Sequence, residues 1–149
     1  MKVCLVSSSG GHLFQLYALK AWWQKVDRFW VTFQKADAAS LLGEETVYRA
    51  YGPTTRNVKN LIRNIFLAFR ILLKEKPDLI ISTGAAVAVP FFYVGKLLGC
   101  RLVFIEVYDR VDSPTLTGRL VYPITDAFVL QWPEQKKFYP KGRLIGQLL

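Results

Sequence analysis

The stretch DLIISTGAAVAVPFFYVGKLLGCRLVFIEV, residues Asp78–Val107, decides the fold. Two short apolar runs, LIIS and LVFI, flank a longer apolar segment that Ser-Thr-Gly and Pro90 interrupt. A membrane-spanning helix needs about 20 consecutive apolar residues, so we interpret the stretch as a buried strand, a buried helix and a second buried strand. Continuously apolar strands are typical of parallel sheets that are covered on both faces.

The alternation of strands and helices continues in both directions from this stretch. Strands are predicted at Lys2–Ser7, Arg28–Phe33, Thr46–Tyr51, Asp78–Ser82, Arg101–Val107, Ala127–Gln131 and Arg143–Ile145. Helices are predicted at Gly11–Lys25, Ala36–Leu42, Val58–Lys76, Ala86–Leu98 and Leu116–Ile124. This order predicts an α/β fold with a Rossmann-like, doubly wound, mostly parallel sheet in one domain, residues 1–149.

The composition excludes several classes of protein. The 149 residues are 52% apolar and 21% charged, so the chain is not intrinsically disordered. The net charge of +9 is compatible with binding to nucleic acid, to an anionic membrane or to small anionic ligands. The basic residues cluster beside aliphatic ones rather than in a stripe with aromatics, which argues against nucleic acid. Two cysteines and one histidine provide no metal-ligand set, and we predict buried, reduced thiols, a cytosolic chain without a signal peptide, no metal and no cofactor.

Three polar segments are predicted at the carboxyl edge of the sheet, where open α/β sheets bind ligands. They are Ser7–His12, Ser82–Ala85 and Glu106–Arg110. In the first, Gly10 and Gly11 permit close backbone approach, and amides at the start of a helix attract anions. A phosphate or diphosphate is therefore the predicted ligand of this turn. The alternative is that the glycines serve only the tight packing of the turn and bind no ligand.

His12 and Glu106 are the candidate catalytic residues. The unperturbed pKa of a histidine, about 6.5, suits proton transfer near neutral pH, and the alternative for His12 is a structural hydrogen bond. A carboxylate at the end of an apolar strand is costly to bury alone. Glu106 could accept hydrogen bonds from sugar hydroxyls, act as a base, or form a structural ion pair with Arg110.

Three longer segments together resemble a known family. SSSGGHLFQL, STGAAVAVPFFYVGKLLG and IEVYDRVDSPTLTGRLVYPITDAFVLQWPEQ resemble the Alg-type acceptor-binding and membrane-anchor subunit of the split UDP-N-acetylglucosamine transferase, together with its bacterial PssD-like relatives of exopolysaccharide and capsule synthesis. The resemblance extends, more distantly, to the amino-terminal domain of MurG. It implies the amino-terminal half of an inverting GT-B glycosyltransferase, with a separate subunit that binds the UDP-sugar and a polyprenyl-diphosphate-linked glycan as acceptor.

The resemblance also implies roles for individual residues. Ser9, Gly10, Gly11 and His12 are expected to face the acceptor diphosphate or the donor, and Ser82–Ala85, with Thr83 and Gly84, forms a second glycine-rich turn. Glu106 and Arg110 match the acidic turn of the family, and no metal is expected because the chain lacks a D-x-D motif. The start at the first strand favours a bacterial protein at the cytoplasmic face of the membrane, and the end at RLIGQLL favours a separate partner. The rival role is a non-catalytic anchor that activates a partner transferase, and a further alternative is a free-standing nucleotide-binding domain.

The segment VKNLIRNIFLAFRILLKEK predicts how such a protein contacts an anionic membrane. On a helical wheel, an apolar face is expected to pack on the sheet, with members Val58, Leu61, Ile62, Ile65, Ala68, Phe69 and Leu72. The opposite face carries Leu67 and Ile71 among cations. We therefore predict peripheral membrane contact through Arg63, Leu67, Arg70, Ile71 and Lys74, and the alternative is that the two aliphatic residues pack under a loop or a partner.

Overall fold

Seven parallel strands form one sheet in the computed structural model, which describes residues 1–148. The strand order is β3-β2-β1-β4-β5-β6-β7, and the chain therefore winds outward in both directions from β1 and β4. The strands are β1 (Lys2–Ser7), β2 (Asp27–Thr32), β3 (Val47–Arg49), β4 (Leu79–Gly84), β5 (Arg101–Ile105), β6 (Ala127–Leu130) and β7 (Arg143–Leu144). The predicted Rossmann-like parallel sheet is confirmed. The last residue of the predicted domain, Leu149, lies outside the described residues.

Six α-helices and two short 3-10 helices connect the described strands. The α-helices are α1 (Gly11–Tyr17), α2 (Lys20–Trp23), α3 (Ala36–Leu41), α4 (Val58–Glu75), α5 (Ala88–Leu97) and α6 (Leu116–Val121). The 3-10 helices are Tyr122–Ile124 and Pro133–Lys137, of which the first replaces the last turn of a predicted α-helix and the second was not predicted.

The predicted helix Gly11–Lys25 is broken into α1 and α2. The break accompanies the burial of Trp23, whose indole donates a hydrogen bond to the Tyr17 carbonyl at 3.1 Å. The same indole packs edge-on against Trp30 of β2, with ring centroids 5.3 Å apart. Burial of a large aromatic residue contributes more to the free energy of folding than the few helical hydrogen bonds that the break removes.

Helices cover both faces of the sheet. One core cluster contains α4, α5 and α6 side chains against the sheet, with Phe91, Phe92, Phe104 and Phe128 among its buried members. The other contains Leu13, Leu16, Trp23 and Trp30 on the opposite face. All strands point the same way, so the loops that follow β1, β4 and β5 meet at one edge. There the Ser8 amide donates a hydrogen bond to the Gly84 carbonyl at 3.0 Å.

The helix α4 buries only part of the face that the wheel predicts. Ala68 and Leu72 are buried, but Val58, Leu61 and Ile62 are exposed. Its buried residues are Asn60, Asn64, Leu67, Ala68, Ile71 and Leu72, whereas the side chains of Val58, Leu61, Ile62, Phe66 and Leu73 are exposed. Two buried asparagines define this face, because their amides find partners in the segment before the helix. The prediction that Leu67 and Ile71 are exposed is therefore wrong.

Candidate functional site

A cavity of about 490 Å³ opens at the carboxyl edge of the sheet. Its walls come from the loops after β1, β3, β4 and β5 and from the first turn of α6. The lining residues are His12, Thr54, Thr55, Arg56, Thr83, Gly84, Ala85, Ala86, Val107, Asp109, Arg110, Thr115, Leu116 and Thr117. The structure thus brings together four of the residues selected from the sequence, namely His12, Thr83, Gly84 and Arg110.

The imidazole of His12 is held in one tautomer by the β4 loop. Its Nδ1 lies 2.8 Å from the carbonyl oxygen of Thr83, and a carbonyl oxygen only accepts hydrogen bonds. The proton of the neutral ring is therefore on Nδ1, and Nε2 keeps its lone pair. The Thr83 hydroxyl returns a hydrogen bond of 2.5 Å to the His12 carbonyl. These reciprocal bonds orient a ring whose Nε2 can accept a proton.

Gly84 leaves the room that the imidazole occupies. A Cβ atom at this position would lie 2.9 Å from His12 Nδ1, and the backbone φ of +108° is one that residues with side chains rarely adopt. The Gly84 amide donates to the Ser82 hydroxyl at 2.9 Å, so it is not free for a ligand. The glycine of this turn therefore serves the placement of His12.

Two arginines line the cavity, and the sequence predicted only one of them. Arg110 donates a long hydrogen bond of 3.5 Å to the Ser113 hydroxyl, and Arg56 comes from the loop between β3 and α4. In the part of the chain that the structure describes, ion pairs join Lys2 to Glu75 and Arg28 to Glu45, so neither cavity arginine is neutralised by a carboxylate. The segment GPTTRN offered only a composition typical of loops, and nothing in it indicated a contribution to the site.

An adjoining cavity of about 600 Å³ contains the serines of the first loop. Ser8 and Ser9 line it, together with residues after β2 and β3. Gly10 and Gly11 line neither cavity. The Gly10 amide donates to the Asp37 carboxylate at 2.6 Å, which contradicts the prediction that Gly10 offers a free amide to a phosphate. A carboxylate at this point would repel an anion.

Glu106 lies beneath the cavity rather than on its wall. The residue is fully buried. Its Oε1 accepts from the Val107 amide at 3.1 Å and from the Thr115 hydroxyl at 2.9 Å. Its Oε2 accepts from the Thr115 amide at 3.1 Å and from the Tyr139 hydroxyl at 2.5 Å. The carboxylate is therefore stabilised by neutral donors, as a buried charge requires.

This environment argues against all three roles considered for Glu106. Within residues 1–148 it forms no ion pair with Arg110, and with both oxygens bonded inside the protein it does not face a substrate. Its bonds to Thr115 instead fix a residue of the cavity wall. Burial and the neighbouring carboxylate raise the pKa of Tyr139 well above its usual range, so this hydroxyl remains a donor.

The predicted membrane-contact residues divide into two groups. Arg63, Arg70 and Lys74 are exposed on α4, whereas Leu67 and Ile71 are 5% and 1% exposed and face the core. No α-helix within residues 1–148 has the length and apolarity that a membrane crossing requires. The same residues contain no cluster of three or more histidine, cysteine or acidic side chains that could hold a metal ion.

Comparison with known proteins identifies one family and several relatives to which the chain is similar. The model of the family described as oligosaccharide biosynthesis protein Alg14 like matches residues 46–148. The UDP-N-acetylglucosamine transferase subunit ALG14 of Homo sapiens is 29% identical over 94 residues, which cover 59% of this chain and 44% of the human protein. The protein of the same name from Candida albicans is 26% identical over 172 residues, covering 99% of this chain and 78% of that protein. The chain thus spans less than half of the human relative.

Solved structures share the fold at low sequence identity. MurG of Acinetobacter baumannii superposes with a TM-score of 0.77 at 18% identity, covering 98% of this chain and 45% of that chain. UDP-GlcNAc 2-epimerase of Neisseria meningitidis superposes with a TM-score of 0.78 at 13% identity, covering 99% of this chain and 47% of that chain. These likenesses confirm the Rossmann-like fold of the chain, which covers slightly less than half of each of these two proteins.

Proposed function

Since the chain belongs to the family of Alg14-like oligosaccharide biosynthesis proteins, we propose that it is the acceptor-binding subunit of a two-component glycosyltransferase. A separate subunit binds the UDP-sugar, and the cavity at the carboxyl edge of the present sheet holds a polyprenyl-diphosphate-linked glycan. The relatives are named as transferase subunits, which supports a division of labour between two chains. The proposed setting is bacterial polysaccharide synthesis at the cytoplasmic face of the membrane.

The observation that carries the proposal is the oriented imidazole of His12 in a cavity lined by two arginines. A general base must be within reach of the hydroxyl from which it removes a proton, and its protonation state must suit the task. The bond from Nδ1 to the Thr83 carbonyl leaves Nε2 as the acceptor. The arginines supply positive charge for a phosphate-bearing substrate.

The proposed reaction is a single displacement with inversion. Nε2 of His12 accepts the proton of an acceptor hydroxyl while that oxygen bonds to the anomeric carbon of the donor sugar. The bond from this carbon to the diphosphate oxygen breaks, and UDP leaves with the electron pair. His12 then releases the proton to solvent. Orientation of the acceptor by the fixed cavity wall contributes to the rate because it removes the entropic cost of alignment.

The outer surface of the helical layer supports peripheral attachment to a membrane. Ile62, Phe66 and Leu73 of α4 are 48%, 72% and 54% exposed, and exposed cations of the same helix lie among them. On the neighbouring helix α5, Leu97 is 77% exposed. Exposed apolar side chains ringed by Lys and Arg are typical of surfaces that enter an anionic lipid interface. This face replaces the one predicted from the wheel.

The test combines the purified chain with its donor-binding partner. We expect transfer of a sugar from a UDP-sugar to a polyprenyl-diphosphate-linked glycan only with both proteins present. His12→Ala should lower kcat at least about a hundredfold. His12→Asn keeps a donor for the Thr83 carbonyl but lacks the basic nitrogen, and should be as inactive as His12→Ala. Near-normal turnover by His12→Asn would instead identify the chain as a non-catalytic activator of the partner.

A further inference from the structure

The loop between β3 and α4 carries to the cavity an arginine, Arg56, to which the proposed function assigns only a general positive charge. Arg56 lines the cavity together with Arg110, which comes from the loop after β5. Both residues are exposed to solvent, and neither forms an ion pair within residues 1–148. Asp109 also lines the cavity but lies beyond ion-pair distance of both guanidiniums. The cavity wall therefore carries two guanidinium groups outside any ion pair and one carboxylate, which leaves an excess of positive charge.

The loop that carries Arg56 is fixed from beneath by α4. The buried Asn64 donates to the Tyr51 carbonyl at 3.0 Å and accepts from the Tyr51 amide at 2.9 Å. The buried Asn60 donates to the Pro53 carbonyl at 2.8 Å. These hydrogen bonds explain why two polar residues lie on the otherwise apolar buried face of α4. Their bonds hold the residues just before Arg56 beside the cavity.

The backbone of Arg56 is itself unusual. Its φ is +50°, a left-handed conformation that residues with a Cβ adopt at an energetic cost. Such conformations persist where the surrounding structure imposes them, and they concentrate at binding sites. Here the imposing contacts lie on both sides of Arg56, at Pro53 and at Asn57, whose side chain caps α4 by accepting from the Asn60 amide at 2.9 Å.

We propose that Arg56 and Arg110, from two separate loops, bind the diphosphate of the lipid-linked acceptor, and that Asn60 and Asn64 are the positioning residues for Arg56. This inference rests on the proposed function. A guanidinium offers a planar set of donors that matches phosphate oxygens in pairs. Two guanidiniums on separate loops suit a ligand with two phosphoryl groups better than one with a single group.

The cavity wall favours the acceptor over a nucleotide as the source of the diphosphate. No aromatic ring on which a base could stack is among the lining residues that the structure describes. Leu116 also lines the cavity and is 70% exposed. One turn later on α6, Leu120 is 43% exposed. Two exposed leucines thus follow one another along α6 from the cavity wall, which suits a prenyl chain attached to the diphosphate.

Calorimetry on the purified chain tests the inference without the transfer reaction. The probes are inorganic pyrophosphate, inorganic phosphate, farnesyl diphosphate and UDP. We expect pyrophosphate to bind more tightly than phosphate, and Arg56→Gln and Arg110→Gln each to weaken pyrophosphate binding about tenfold or more. Arg101→Gln, which removes an exposed arginine at the opposite edge of the sheet, is the control and should leave binding unchanged. Arg56→Lys should recover only part of the loss, because an ammonium lacks the planar set of donors.

The outcomes separate the inference from the proposed function. Equal affinity for phosphate and pyrophosphate, or pyrophosphate binding that Arg56→Gln leaves unchanged, would overturn the two-arginine site even if the two-subunit mixture transfers sugar. Tighter binding of UDP than of farnesyl diphosphate would overturn the assignment to the acceptor. Diphosphate binding that depends on both arginines, in a chain whose mixture with the partner shows no transfer, would uphold the site and reject the function. Asn64→Ala should weaken pyrophosphate binding while circular dichroism shows a folded protein.

Discussion

His12 in the first turn of α1 and Thr83 near the end of β4 are joined by two reciprocal hydrogen bonds. Nδ1 of the imidazole lies 2.8 Å from the Thr83 carbonyl oxygen, and the Thr83 hydroxyl donates to the His12 carbonyl at 2.5 Å. The residues are 71 positions apart in the chain but lie at the carboxyl ends of the adjacent strands β1 and β4. The pair fixes both the tautomer and the orientation of the one histidine in the protein.

Removal of the Thr83 hydroxyl tests whether this pairing orients the base. Thr83→Val keeps the shape of a fully buried side chain but leaves the His12 carbonyl without its donor. We expect the free energy of unfolding to fall by about 1 kcal/mol and kcat of the two-subunit mixture to fall roughly tenfold, with little change in KM for the acceptor. Thr83→Ser retains the hydroxyl and should restore kcat. A variant with unchanged kcat would show that the bond is only structural.

Gly84→Ala tests the space reserved for the imidazole. The new Cβ would lie 2.9 Å from Nδ1 of His12 in a backbone with φ +108°. Gly99→Ala is the matched control, since Gly99 has φ +82° and nothing within 4 Å of the added Cβ. Both substitutions should lower the free energy of unfolding by about 1 kcal/mol through the left-handed backbone. Only Gly84→Ala should also lower kcat, at least about tenfold, and equal kinetics for the two variants would contradict the role assigned to Gly84.

The strands and the location of the site could be predicted because they depend on simple patterns. The runs LII of β4 and LVFI of β5 are apolar at every position because these strands are covered on both faces. Once the parallel order is known, the loops after β1, β4 and β5 must share an edge. The predicted His12, Thr83, Gly84 and Arg110 lie together there for this reason.

The features that escaped prediction depend on contacts between distant residues. A helical wheel assigns the buried face of α4 from hydrophobicity alone. In the structure, Asn60 and Asn64 are buried because their side-chain amides form hydrogen bonds with the backbone of Tyr51 and Pro53. Burial of these asparagines turns Leu67 and Ile71 inward with them, since all four lie on one helical face. No local sequence pattern indicates hydrogen-bond partners of this kind. The same loop brings Arg56 to the cavity, which the sequence did not predict either.

The sequence identified Glu106 as a carboxylate that needs partners, but it did not identify the partners that the structure shows. A buried carboxylate requires compensation, and the sequence offered Arg110 or a substrate as its source. The structure provides Thr115 from nine residues later and Tyr139 from 33 residues later. Hydroxyl and amide donors leave no charge pattern in a sequence, so this network could not be predicted from it.

Glu106→Gln distinguishes a positioning residue from a catalytic base. An amide would place an NH₂ group against donors from Thr115 or Tyr139, so we expect the free energy of unfolding to fall by about 2–3 kcal/mol. At a temperature where the variant stays folded, kcat should fall less than about fivefold. A loss beyond about a hundredfold with normal stability would restore the role of base. Glu44→Gln, at an exposed carboxylate of the same type, controls for the loss of charge.

The pH dependence of stability should report the ion pair at the β2 edge. Hydrogen bonds from Arg28 foremost, and then from Trp30, hold the pKa of Glu45 below its usual range. Because the folded pKa is lowered, this contribution is fully present above the unfolded pKa, about 4.3, and is lost as pH falls through the folded value. In urea unfolding at neutral pH, the free energy of unfolding of the wild type should exceed that of Glu45→Gln by about 1 kcal/mol. The difference should shrink below about pH 4, and a constant difference would contradict the assignment.

Membrane attachment should depend on the exposed apolar side chains of α4, Phe66 and Leu73, and not on Leu67 and Ile71, which the helical wheel suggested. Phe66→Glu with Leu73→Glu places two carboxylates on side chains that are 72% and 54% exposed, so the fold should persist while sedimentation with phosphatidylglycerol vesicles falls at least about tenfold. Ala21→Glu with Gln24→Glu adds the same charge to exposed positions of the opposite layer and separates a specific contact from the general change in net charge. Equal loss of vesicle binding in both pairs would attribute attachment to net charge, and unchanged binding of the α4 pair would place the contact elsewhere.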